Sequence, residues 1–169
     1  MTHLSRALRA SAVTGTLATV LGASLVATAS PSWAVTKLTD AQAASQLSAS
    51  GIGRSSSGGC TNRNVGTCTS YDQINQDTVT GIKTFRSISG CALTITGGTE
   101  TGHASGTYSH WNGYKVDIPV TTCVTSYITG HYAYSGTRSD GAALYTAPSG
   151  NVYARESSHW DITYLSCGC

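Results

Sequence analysis

Six cysteines constrain this 169-residue chain more than any other feature. Cys60, Cys68, Cys91, Cys123, Cys167 and Cys169 all follow an amino-terminal stretch with the marks of an export signal. In that stretch Arg6 and Arg9 form a basic start, and a run of small apolar residues extends from Ala12 to Ala29. Pro31-Ser32-Trp33-Ala34 then offers small residues for cleavage after Ala34. The run is too rich in Ala, Ser, Thr and Gly to read as a membrane anchor. An even number of cysteines in an exported chain reads as disulfides, and sequence leaves their pairing open. The favoured set joins Cys60 to Cys68 across a Gly- and Asn-rich loop, and Cys91 to Cys123 between a strand and a helix. Cys167 and Cys169 are then left to each other. A cysteine zinc site is the rival, but the chain has no C-x-x-C pair.

Residues 1–34 thus read as a secretory signal peptide and residues 35–169 as a single domain, a length that suits one core. Ten basic residues face eight acidic ones, and Arg6 and Arg9 fall in the signal, so the remainder is close to neutral. Nucleic acid is therefore not an expected partner, because phosphate binding needs a concentrated basic surface. Nor is a membrane, once the signal is removed. A secreted monomer is expected.

The pattern predicts an α+β fold with helices packed on a small antiparallel sheet. Thr39 and Gln42 read as a capping box, with Leu38 and Ala43 as its staple, for a helix to about Ser48. Residues 51–67 read as a long loop. A helix is expected over 70–80 with Ile74 and Val79 inward, and 81–89 is ambiguous. Cys91 to Thr96 alternates as a strand, residues 97–113 have loop composition, and Tyr114 to Ile118 is a second strand. Asp117 and Lys115 share the strand face opposite Val116 and Ile118. Pro119 is read as starting a helix that Gly130 ends. Ala142–Thr146 and Asn151–Arg155 form a hairpin around Pro148-Ser149-Gly150, and Trp160–Leu165 is a last strand.

Two stretches carry chemistry. Ser109-His110-Trp111-Asn112-Gly113-Tyr114-Lys115-Val116-Asp117 contains the spacing H-x-x-G-x-x-x-D, and Glu156-Ser157-Ser158-His159-Trp160 contains E-x-x-H. A chain of this composition yields them by chance only about 0.02 and about 0.06 times. A catalytic zinc takes about three N/O protein ligands and leaves one position open. His110, Asp117 and His159 supply such a set, and Glu156 supplies a general base beside it.

Both stretches resemble the motifs of the zinc D-Ala-D-Ala peptidases. That family includes the peptidoglycan D,D-carboxypeptidases, the vancomycin-resistance D,D-peptidases and some phage endolysins. Its first motif reads S-x-H-x-x-G-x-A-x-D. Ser109, His110, Gly113 and Asp117 supply these residue types, and Lys115 stands where alanine is usual. Its second motif is E-x-x-H followed by an aromatic or a second histidine, supplied by Glu156, His159 and Trp160. The resemblance runs from about Cys91 to Leu165. It implies the family's fold, a zinc ion, and hydrolysis of a peptidoglycan peptide as carboxypeptidase or endopeptidase.

Many members also carry an S-G-Y-R motif after the first strand. Here the matching stretch, Gly97-Gly98-Thr99-Glu100, has no arginine. Lys115, Arg138 and Arg155 are candidates for the missing cation, although the ammonium of Lys115 is expected to reach water. His103, Ser109, Lys115 and Trp160 are candidate substrate contacts or supports of the ligands. Glu100 is read equally as a substrate contact or a strut of the Gly-rich turn, and His131 as a bystander at a helix end. The rival function is a zinc-containing wall-binding module without catalysis. A disulfide-stapled inhibitor or toxin leaves the paired motifs unexplained.

Overall fold

Two strands with different work on their two faces organise the structure. The computed structural model describes residues 35–166, which belong to one unit. The signal-peptide reading and the Cys167–Cys169 pairing lie outside the described residues. Strand β5 (Lys115–Pro119) pairs antiparallel with β9 (His159–Thr163), with Asp117 opposite Asp161 and Pro119 opposite His159. Strand alternation then sends Val116, Ile118, Trp160 and Ile162 to one face, where all four are fully buried. Lys115, Asp117, His159 and Asp161 go to the other face. Each large side chain buried on the apolar face contributes about 1.5–3 kcal/mol.

Beyond β9 lie β8 (Val152–Arg155), β7 (Ala143–Thr146) and β6 (Ala133–Thr137), completing a five-stranded antiparallel sheet in the order β5-β9-β8-β7-β6. Helices α2 (Gln76–Ser89) and α3 (Thr122–His131) cover its apolar side. Val79, Ile82, Phe85, Val124 and Ile128 share one core with the sheet residues. Helix α1 (Asp40–Ala49) starts with the expected capping box. The Gln42 N–H reaches Thr39 Oγ1 at 3.3 Å, and the Thr39 N–H reaches Gln42 Oε1 at 2.9 Å. Leu38 and Ala43 are both buried beside it. Two small sheets complete the fold. Strand β1 (Lys37–Leu38) pairs antiparallel with β3 (Ile74–Asn75), and β2 (Ile52–Arg54) pairs parallel with β4 (Leu93–Ile95).

The structure corrects several local expectations. Helix α2 begins at Gln76, not at residue 70, and continues through the ambiguous 81–89 stretch. Gly81 obscured that continuity. It is a poor helix former, but a Cβ there would lie 2.2 Å from the Tyr164 ring, so close helix–sheet packing selects it. Strand β2 lies inside the expected 51–67 loop, and β6 was not foreseen. Pro119 does not open a helix. It ends β5, an edge strand, where its missing N–H costs no ladder bond. Helix α3 instead starts after Thr121, whose Oγ1 accepts the Val124 N–H, and it runs past Gly130 to His131.

Both internal disulfides form as expected, Cys60–Cys68 and Cys91–Cys123. The second spans 32 residues of sequence, for which loop-closure entropy gives roughly 3–4 kcal/mol. Two disulfides fit an oxidising compartment. Among the described residues no helix is long and apolar enough to cross a membrane.

Candidate metal centre

His110 sits on a turn that its neighbours leave no freedom. The Gly113 N–H donates to the His110 carbonyl at 2.8 Å, and the Tyr114 N–H to the Ser109 carbonyl at 3.1 Å. Gly113 has φ +77°, and a Cβ there would lie 2.5 Å from the Gln73 carbonyl oxygen. Its own carbonyl accepts from the Asn75 N–H at 3.1 Å and from Thr78 Oγ1 at 2.7 Å, fixing the turn to the start of α2. The glycine of H-x-x-G is thus demanded by both conformation and space. Gly113→Ala is expected to destabilise the fold by about 3 kcal/mol, combining left-handed strain with overpacking. In thermal unfolding the midpoint should drop by roughly 10 °C, and an unchanged midpoint would refute this account of the turn.

Ser109 stands directly before His110, one position closer than the serine of the resembling motif. That motif position holds Tyr108, which is exposed. Ser109 Oγ accepts the Asn112 N–H at 3.2 Å, so the side chain holds the turn.

The His110 ring is buried and oriented from behind. Its Nδ1 lies 2.6 Å from the Gly98 carbonyl. A carbonyl only accepts, so Nδ1 carries the hydrogen and Nε2 faces the site. Glu100 fixes the Gly98 peptide in turn, taking the Gly98 N–H at 3.0 Å and the Ser70 N–H at 2.8 Å. Burial works against ionisation of Glu100, but His103 and these N–H groups outweigh it and hold the carboxyl below its usual range. Glu100 is therefore a strut of the turn. At Nε2, His110 lies 3.2 Å from Asp117 Oδ1 and 3.6 Å from Asp161 Oδ1. Burial disfavours the imidazolium, but the two facing carboxylates outweigh it and push His110 up to about 9.

His103, His110 and Asp117 bring one donor atom each within 4.8 Å of one another, a group able to hold a metal ion. The two imidazoles, however, stack with centroids 3.8 Å apart and planes only 17° apart. A histidine binds a metal in its ring plane at about 2.0–2.1 Å. No single ion lies in both planes at that distance, so with the rings as they stand one ion takes Asp117 and one imidazole of this pair. His103 is otherwise engaged, with Nε2 3.1 Å from Glu100 Oε1 and Nδ1 3.8 Å from Asp117 Oδ2.

His159 approaches Asp117 from the neighbouring strand. Its Nε2 lies 3.6 Å from Asp117 Oδ1 and 3.2 Å from Glu156 Oε2. His110, Asp117, His159 and Glu156 thus meet in one open cleft of about 630 Å³. Asp117 Oδ1 and Asp161 Oδ1 are both buried with no hydrogen-bond donor. The 3.2 Å approach of His110 Nε2 to Asp117 Oδ1 lacks hydrogen-bond alignment. Buried carboxylate oxygens facing imidazole nitrogens are donor types that could hold a metal ion, and imidazole with carboxylate is a combination that zinc accepts.

Asp161 is the site residue that the motifs missed. Its Oδ2 accepts Lys115 Nζ at 2.6 Å and Arg138 Nη1 at 3.0 Å. Burial pushes its carboxyl up, but His110 and Lys115 outweigh that and hold it well below the carboxylate range. The available signal was its place two residues after His159, hence on the same strand face. Lys115 does not extend into water; its ammonium is spent on Asp161. Arg138 also grips Glu156 and Asp140, and holds the Asp140 carboxyl down at about 2. Arg155 lies on the other side of the sheet, 5.8 Å from the Trp160 ring, and does not line the cleft. Trp160 does not reach the cleft. It packs in the core, with its indole N–H on Thr125 Oγ1 at 3.4 Å. His131 ends α3 with Nδ1 on the Tyr127 carbonyl.

No family model, curated protein or solved structure matches this chain.

Proposed function

We propose that this chain is an exported zinc metallopeptidase that hydrolyses a peptide bond of peptidoglycan, of the zinc D-Ala-D-Ala peptidase kind. One observation carries the reading: H-x-x-G-x-x-x-D and E-x-x-H, far apart in sequence, deliver His110, Asp117, His159 and Glu156 to one cleft. His110, Asp117 and His159 would hold the ion. When bound, zinc supplies a Lewis acid and brings the pKa of a water toward neutrality.

The chain's own groups do the rest. The Gly98 carbonyl and Glu100 keep His110 in the tautomer that presents Nε2. His159 Nε2 lies between Asp117 and Glu156, so the base stands beside the ligands. Glu156 takes the proton of the attacking water at a carboxylate oxygen and returns it to the leaving amine. Trp160 and the apolar face of β5 and β9 keep the underside of the site rigid and dry.

A second reading, a zinc-containing wall-binding module without catalysis, is favoured by one contact. Arg138 pairs with Glu156, so one oxygen of the proposed base is already engaged by a guanidinium. Incubation of the zinc-loaded protein with purified cell walls and muropeptides separates the readings. The peptidase reading expects free D-alanine or cut cross-bridges, lost on chelation and restored by zinc. Wall binding with no new amine or carboxylate ends would support the module instead.

A further inference from the structure

We propose that Asp161 is a second carboxylate of the metal centre, facing the ion from β9 opposite Asp117 on β5. The inference rests on reading the cluster as a metal centre. In the β5–β9 register the two aspartates are direct cross-strand partners on the same face. Like charges placed opposite each other on a sheet are destabilising unless something positive lies between them. Lys115 and Arg138 satisfy Asp161 on Oδ2 only. Its other oxygen is buried with no donor, in a side chain only 7% exposed, and lies 3.6 Å from His110 Nε2. Asp117 Oδ1 is the matching orphan, 3.2 Å from the same nitrogen. Two unpartnered carboxylate oxygens therefore converge on one imidazole nitrogen, and a cation there satisfies both.

This arrangement gives Asp161 two effects. Its charge adds to the pull of Asp117 on the ion. Its Oδ2 fixes Arg138, which reaches Glu156, so the residue links the ion to the base. Lys115 offsets part of that charge, and it therefore tempers the site's affinity.

The test is zinc affinity of the folded, disulfide-intact chain, measured with zinc alone against a competing chelator. Asp161→Asn should weaken zinc binding by about 10–100-fold, the range seen when carboxylates around a metal's ligands are lost. Asp140→Asn removes another partner of Arg138, at an exposed carboxylate, and should leave affinity within about threefold of wild type. Lys115→Met should tighten zinc binding several-fold by freeing the Asp161 carboxylate, and that gain should vanish in the double variant Lys115→Met/Asp161→Asn, whereas a merely structural Asp161 would leave the gain in place. Should Asp161→Asn fail to fold alone, the double variant, which removes the Lys115–Asp161 pair together, carries the same comparison against Lys115→Met. Wild-type affinity in Asp161→Asn, or unchanged or weakened binding in Lys115→Met, overturns the proposal. A wild type that takes up no zinc overturns the metal centre itself, and Asp161's part with it.

Discussion

Glu156→Gln is expected to keep its zinc and to lower kcat by a factor on the order of 10²–10⁴. The substitution preserves shape and removes only the ability to take a proton. Glu156 is not among the proposed ligands, so metal content should be unaffected. Its carboxylate stands 3.2 Å from His159 Nε2, at the open side of the cleft, and Arg138 orients it from the other oxygen. The amide can still accept from Arg138, so the variant should fold normally. Steady-state rates on the peptide that wild type cleaves, with zinc counted in the same samples, check this. Retained zinc with a wild-type rate would remove Glu156 from the mechanism.

Zinc uptake should depend steeply on pH. The metal and a proton compete for His110 Nε2, and without metal the proton is held up to about 9. Below that point each unit of pH should cost close to tenfold in apparent affinity, and uptake at neutral pH should release about one proton. Calorimetry in buffers of different ionisation heat reads that proton directly. The metal-free protein should show the converse trend in stability. The pKa of His110 is raised from 6.5, so its stabilising contribution is complete below about 6.5 and fades as pH rises through about 9. The apo thermal midpoint should therefore fall by several degrees across that interval. A pH-independent affinity would place the metal away from His110.

Much of this centre was legible in the chain because it is built from local patterns. The α1 capping box, the apolar alternation of β5 and the spacing of both motifs are short-range features, and each has its structural counterpart. What stayed hidden depends on register. Asp161 becomes a partner of Asp117 only when β9 pairs with β5, and Arg138 reaches the cleft only when β6 and β7 fold back. Gly81 hid the continuity of α2 because its reason is the Tyr164 ring, distant in sequence. Pro119 misled because edge strands tolerate proline as well as helix starts do. His103 could not be placed from its spacing. Its stacking on His110 and its bond to Glu100 arise from a loop whose shape no periodicity encodes.

The central claim is a metal held by His110, Asp117 and His159, and counting zinc in the oxidised protein beside three single variants tests it most directly. The account predicts about one zinc per wild-type chain, lost in His110→Ala and in His159→Ala but retained in His103→Ala, because its ring cannot share an ion with His110. A folded wild type without zinc, or zinc that survives His159→Ala and is lost in His103→Ala, would contradict it.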